Sequence, residues 1–252
     1  LYPDNDFIFV GDSVSDYEAA INSNIKFSLV GTGKGNKSQK FLNLKNFFKD
    51  LSEFSNYYYL QLTIDLYRNK HLEELIKTKS KNDQNIIQMA YKIVEHSKKG
   101  GLIITAGNGG SSAHAEHLTA EFQVRFEMER DSLPAICLTS NSSSLTAGAN
   151  DYSFEDVFIK PFSSFIKLNI PIILILFSTS GSSKNIIKLA NYAREKNIKT
   201  FLFIGSKQSK LQEYSELSIN DFSNRTCITQ DIHQFYIHSL CIAIDHLLTK
   251  ED

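Results

Sequence analysis

Apolar residues fall into two spacings along this chain. Short unbroken runs, LIIT at 102–105, AICLTS at 135–140, IILILFS at 172–178 and TFLFIG at 200–205, have the length and content of strands buried on both faces. Between and after them, at 111–125, 183–196 and 230–248, apolar residues recur every three or four positions, which is the helical period. Strands alternating with helices predict a parallel sheet covered on both faces, a three-layer doubly wound α/β fold. Such sheets bind ligands at the carboxyl ends of their strands, and the polar loops after Thr105, Thr139 and Phe177 all fall on that edge.

The front of the chain has a different rhythm. A strand at 7–10, a helix at 17–22, a second apolar run at 27–30 and the loop GTGKGNKSQK at 31–40 make a βαβ fragment too small to cover both faces of its own strands. Residues 51–99 read as two helices separated by the polar stretch TKSKNDQN at 78–85. The expected division is therefore a fragment at 1–50 and a domain at 51–252, with N-terminal helices ahead of its sheet. The chain starts with Leu1 and enters a strand within a few residues, so it reads as the continuation of something longer.

Composition narrows the function classes. A net charge of −1 gives no general attraction to nucleic acid. The longest apolar run, 170–177, is far too short to cross a bilayer. Cys137, Cys227 and Cys241 are odd in number and widely spaced, without a CxxC pair, which suggests neither a disulfide framework nor a thiolate metal site and suits a reducing cytoplasm.

Three stretches carry chemistry. In GNGGSS at 107–112, small residues let backbone N–H groups approach an anion at a helix start. Ser178, Thr179, Ser180, Gly181, Ser182 and Ser183 form a second such loop, whose hydroxyls could equally serve as helix caps. His117 and Glu121, four residues apart, face the same way on a helix and can reach one ion or one substrate. Gln230 and His238 sit on the last helix, eight residues and about 12 Å apart along its axis. His114 and His233 are solitary helical histidines of the kind that usually pack rather than react.

Five motifs, GNGGS at 107–111, AEHLTAEFQVRF at 115–126, LPAICLTSNSSSLTAGANDYSFEDVF at 133–158, STSGSS at 178–183 and QDIHQFYIH at 230–238, make residues from about 55 to 250 resemble the sugar isomerase (SIS) family of phosphosugar-binding domains, specifically the phosphoheptose isomerases. The resemblance implies a flavodoxin-like SIS domain that converts sedoheptulose 7-phosphate to D-glycero-D-manno-heptose 7-phosphate through an enediol, in heptose biosynthesis for lipopolysaccharide or capsule. It assigns sugar-phosphate contacts to Asn108, Gly109, Gly110, Ser111, Asn150, Asp151, Ser178, Thr179, Ser180 and Ser183, with Glu121, Arg125 and Gln230 also at the substrate. Arg125 either neutralises substrate or pairs with Glu121. By the same resemblance His117, Glu121, Gln230 and His238 ligate one Zn²⁺ per subunit, Glu121 and His238 transfer the proton, and the assembly is a homotetramer. Ser182 stands where the family usually has Asn, and Ile228-Thr229 replaces the commoner Arg-Ile. The alternative is a non-catalytic SIS module that binds a phosphosugar or associates with a replication initiator; retention of Glu121 and His238 favours the enzyme.

FVGDSVSDYEAA at 9–20 resembles the last conserved segment of haloacid dehalogenase-type phosphatases. Asp12 and Asp16 match the positions where that family holds Mg²⁺, but no strand with a nucleophilic aspartate precedes them, which implies an incomplete remnant. A capped strand-to-helix turn would look similar.

Overall fold

The computed structural model describes residues 7–44, 47–205 and 209–249. The chain forms two compact units, Leu1–Asn69 and Lys70–Asp252.

In the first unit β1 (Ile8–Gly11), β2 (Lys26–Val30) and β3 (Phe47–Phe48) form a parallel sheet in the order β1-β2-β3. Helix α1 (Val14–Asn22) connects the first two strands and is opened by a capping box in which Ser13 and Asp16 satisfy each other's backbone N–H groups. The stretch expected as a loop at 31–40 instead contains helix α2 (Gly35–Leu42). Its glycines lead into the helix rather than interrupt it, and Asn43 closes it in the left-handed conformation. Phe48 packs its ring against Phe54 and Tyr57, covering the short third strand.

Residues 51–98 are one helix, α3 (Leu51–Lys98), not two. The polar stretch that suggested a break contains neither Gly nor Pro. Its side chains are used in packing: Asn82 Nδ2 donates to the Asn220 carbonyl at 2.8 Å, Asn82 Oδ1 accepts the Asn220 N–H, and Asn85 Nδ2 donates to the Ser218 carbonyl. These bonds satisfy edge-strand backbone groups that would otherwise have needed water.

The second unit contains β4 (Leu102–Gly107), α4 (Gly110–Gln123), β5 (Ala135–Cys137), α5 (Ser142–Asp151), α6 (Ile159–Ile166), β6 (Ile172–Ser178), α7 (Lys184–Glu195), β7 (Lys199–Ile204), a 3-10 turn (Lys210–Tyr214), β8 (Leu217–Asn220) and α8 (Thr226–Thr249). All five strands are parallel, in the order β5-β4-β6-β7-β8, which is the flavodoxin-like order with β4 as first strand.

Alternation along the strands separates the two covering layers. Ile104, Ala106, Leu174, Leu176, Leu202 and Ile204 pack with Phe162 of α6 and with Ile186, Leu189 and Ala190 of α7. On the other face Thr105 hydroxyl donates to the Ala115 carbonyl of α4 at 2.9 Å, and Phe177 and Phe203 lie against His233 of α8. The expected three layers are present. The sequence reading overlooked α5, α6 and β8: the helices have 10 and 8 residues, and the strand LSIN alternates too weakly to stand out.

Beyond β8, Asp221 is fully buried; its Oδ1 accepts the Ser223 N–H and the Thr229 hydroxyl, while Oδ2 has no hydrogen-bond partner. Burial pushes this carboxyl up to about 6, against the two hydrogen bonds and with help from nearby Glu74. Because the folded value exceeds the unfolded one, the acid stabilises the fold below about pH 4, and that contribution is lost as pH rises through about 6. Asp221→Asn is therefore expected to be more stable than the parent at pH 8, by about 1–2 kcal/mol, with the gain vanishing near pH 4, as read from melting temperature against pH.

Candidate active site

Strand β4 runs into a tight turn before α4. Gly109 takes φ +54, a conformation that costs a side-chain-bearing residue heavily, and Gly107 lies where a Cβ would come within 2.3 Å of the Ser111 carbonyl oxygen. Both glycines bring successive backbone N–H groups to the head of α4, which has no side-chain cap hydrogen bond. An anion is the natural partner of such a helix start.

The second loop approaches from β6. Asn108 and Asn185 exchange two amide hydrogen bonds of 2.8 and 2.9 Å, joining the turn after β4 to the first residues of α7. Ser178 Oγ accepts the Gly181 N–H, Ser180 Oγ accepts the Ser182 N–H, and Ser183 is the N-cap of α7 without a side-chain cap hydrogen bond. The alternative reading of Ser183 as a capping hydroxyl is thus not the geometry observed. Asn108 does not project freely; its side chain connects the two loops, and its partner Asn185 had no distinguishing signal in the sequence.

Helices α4 and α8 lie side by side, and contacts along them define their register. At the sheet edge, a Cβ on Gly110 would meet the Gln230 side-chain nitrogen at 2.0 Å, so that carboxamide rests on the first residue of α4. Two turns further, His117 Nε2 stands 3.1 Å from His238 Nε2 and 3.6 Å from Glu121 Oε1. His238 is also held by Gln234, whose Nε2 lies 2.8 Å from the same ring nitrogen, and by the ring of Phe126. An imidazole nitrogen has one lone pair or one proton in its plane, so it cannot satisfy both His117 and Gln234 fully. Gln234 was not anticipated, although its place one turn before His238 was the available clue.

Three of the four expected metal ligands, His117, Glu121 and His238, thus come together, while Gln230 stands at the Gly110 end. Among the described residues no group of three or more His, Cys, Asp or Glu side chains is arranged as a ready metal site. The donor chemistry nevertheless suits Zn²⁺: two imidazoles and a carboxylate are common zinc ligands, and nitrogens about 2.0–2.1 Å from a tetrahedral Zn²⁺ stand about 3.3 Å from each other. Nearby Cys241 is no thiolate ligand, because burial, then the Glu121 and Asp245 carboxylates, push its thiol up to about 12.

Arg125 pairs with the exposed Glu129 at 3.5 Å rather than with Glu121. Asn150 and Asp151 bond to each other at the end of α5 and, among the described residues, to none of the other candidates. His114 and His233 form an edge-on pair between the Gln230 and His238 levels, His233 fully buried with neither ring nitrogen hydrogen-bonded to a side chain. Burial depresses His233 to about 3, so it stays neutral. In the first unit Asp16 Oδ2 accepts the backbone N–H groups of Asp12 and Ser13 and the Ser13 hydroxyl, which makes it part of the helix head.

Residues 66–204 match the SIS domain. A probable phosphoheptose isomerase of Thermoplasma acidophilum is 38% identical over 177 residues, covering 70% of this chain and 96% of that protein. The chain belongs to the phosphoheptose isomerases of the SIS-domain family. A phosphoheptose isomerase of Helicobacter pylori strain P12 is 35% identical over 69% of this chain and 90% of its own length. The solved phosphoheptose isomerase of Francisella tularensis superposes with a TM-score of 0.68 at 30% identity, covering 73% of this chain and 97% of that one.

Gly107→Ala tests the first loop. The new methyl would press on backbone rather than on a movable side chain, so a loss of about 1–3 kcal/mol in stability is expected from chemical denaturation, together with loss of any thermal stabilisation by inorganic phosphate.

Proposed function

We propose that this chain is an aldose-ketose isomerase that interconverts sedoheptulose 7-phosphate and D-glycero-D-manno-heptose 7-phosphate. The observation that carries this reading is the meeting of His117, Glu121 and His238 two turns along α4 from an anion-binding helix start. The seven helical steps from Gly110 to His117 span about 10 Å. That separation suits a substrate whose phosphate and reacting carbonyl sit at opposite ends of a seven-carbon chain.

Isomerisation moves a proton between C2 and C1, with the two oxygens exchanging roles through an enediol. The phosphate is held by the backbone N–H groups of Gly109 and Gly110 and by the hydroxyls of Ser111, Ser178, Thr179, Ser180 and Ser183, which fixes the far end of the sugar. Glu121 and His238 are assigned to proton transfer between the two carbons; a donor atom bound to the metal is not a free base, so each would act only through the oxygen or ring nitrogen that the metal does not hold. Asn150 and Asp151 are assigned to contacts with the sugar phosphate and Arg125 to neutralising the substrate. His117, Glu121 and His238 would hold Zn²⁺, which would supply Lewis acidity to the substrate oxygens, while Gln230, two turns away on Gly110, is assigned to the substrate.

A homotetramer in the cytoplasm, serving lipopolysaccharide or capsule synthesis, completes the proposal. It is supported by exposed Leu72, Ile76, Ile87 and Tyr91 along α3, a row of apolar side chains on one helix. No helix among the described residues is long and apolar enough to cross a membrane. Residues 1–50 are assigned to a segment of a haloacid dehalogenase-type phosphatase, with Asp12 and Asp16 at that family's Mg²⁺ positions.

Purified protein given sedoheptulose 7-phosphate is expected to form the aldose, and chelator to remove both bound zinc and turnover. Glu121→Gln and His238→Ala are each expected to lower kcat by about 100-fold or more with an unchanged melting curve. A folded, zinc-loaded sample without turnover would overturn the assignment.

A further inference from the structure

We infer that the ion pair between Arg130 and Asp245 is a positioning device for the acid/base pair, an inference that rests on the isomerase reading of Glu121 and His238. Neither residue belongs to the substrate or metal set. Both side chains are 2% exposed, with Arg130 Nε 2.7 Å from Asp245 Oδ1.

The pair has partners in both directions. Arg130 Nη2 donates to the Glu121 carbonyl at 2.7 Å, and Nη1 donates to the carbonyls of Phe122 and Asp131. Those of Glu121 and Phe122 lie in the last turn of α4, where carbonyls have no partner within the helix. Asp245 Oδ2 accepts the N–H groups of Glu127 and Met128, each at 3.0 Å. Asp245 itself lies on α8, two turns beyond His238. A continuous path therefore runs from the backbone of Glu121 through the guanidinium and carboxylate to the helix that carries His238.

Anchoring a turn does not require a buried charge, because apolar residues of similar volume often replace such pairs without loss of stability. What apolar packing cannot reproduce is direction. Bonds from Arg130 to the Glu121 and Phe122 carbonyls and to Asp245, with two more onto Asp245 from the segment after α4, set the rotation and height of the last turn of α4 relative to α8. The same two variables set the Glu121 and His238 side chains against one substrate.

The test uses full-length Asp245→Asn, Arg130→Lys and the paired replacement Arg130→Met with Asp245→Leu, which restores packing without charge. Each folded variant is expected to lose about 10- to 100-fold in kcat with KM within about threefold of the parent, Arg130→Lys retaining the most activity. A second readout needs no turnover: in zinc-free protein, the His238 ring resonances in NMR should shift in each variant. Folded variants with parental kcat and unshifted His238 resonances would overturn the inference, as would kcat losses that only track the unfolded fraction. Absence of turnover in the parent would overturn the isomerase reading alone, leaving the resonances to decide the positioning role.

Discussion

The pairing of α4 with α8 on one face of the sheet is the constraint on which the site depends. A parallel sheet buried on both sides needs helices over each face, and α4 and α8 are the two that cover the face of Thr105, Phe177 and Phe203. Once they lie together, their register is set at three levels: Gln230 on Gly110, His238 on His117, and Asp245 on the segment that follows α4. Residues more than 100 positions apart in sequence then share one seam, polar along much of its length.

Polarity at that seam has an energetic cost, and the structure limits it in different ways at different levels. His233 is buried as a neutral ring among Phe177, Phe203 and His114, which avoids the much larger cost of burying an imidazolium. Arg130 and Asp245 are buried as charges, but each is hydrogen-bonded on several sides; burial raises the Asp245 carboxyl, and the bonds from Met128, Arg130 and Glu127 bring it below its ordinary value. His117 and Glu121 are left partly exposed, at 37% and 20%, where a substrate can reach them. His117 and Glu121 are thus flanked on one side by neutral histidines whose buried ring nitrogens lack side-chain hydrogen-bond partners and on the other by an ion pair that is hydrogen-bonded on several sides.

Local patterning made much of this visible beforehand. The buried runs at 102–105, 172–178 and 200–205 became β4, β6 and β7 because apolar runs this short, bounded by polar and glycine-containing turns, suit strands buried on both faces of a parallel sheet. The helices carrying His117 and His238 were legible from their period, and the glycine turn from its composition. Misreadings arose where a residue's role is set by a distant partner. Asn82 and Asn85 look like a linker until the edge strand they bond is known, and then α3 is one helix. Asn185 and the partnership of Arg130 with Asp245 carry no local signature, since amides and charges on helices are ordinary surface residues until a fold buries them.

By itself the sequence determined the layered α/β class, the edge of the sheet where ligands bind, and the inventory of groups able to hold a phosphate and move a proton, because these follow from side-chain periodicity and from chemistry carried within a few residues. Only the tertiary structure decided which members of that inventory meet. It brought His238 to the His117/Glu121 turn, set Gln230 two turns away on Gly110, and tied Asn108 to Asn185. Those outcomes depend on the relative height and rotation of packed helices, quantities that no spacing within a single helix contains.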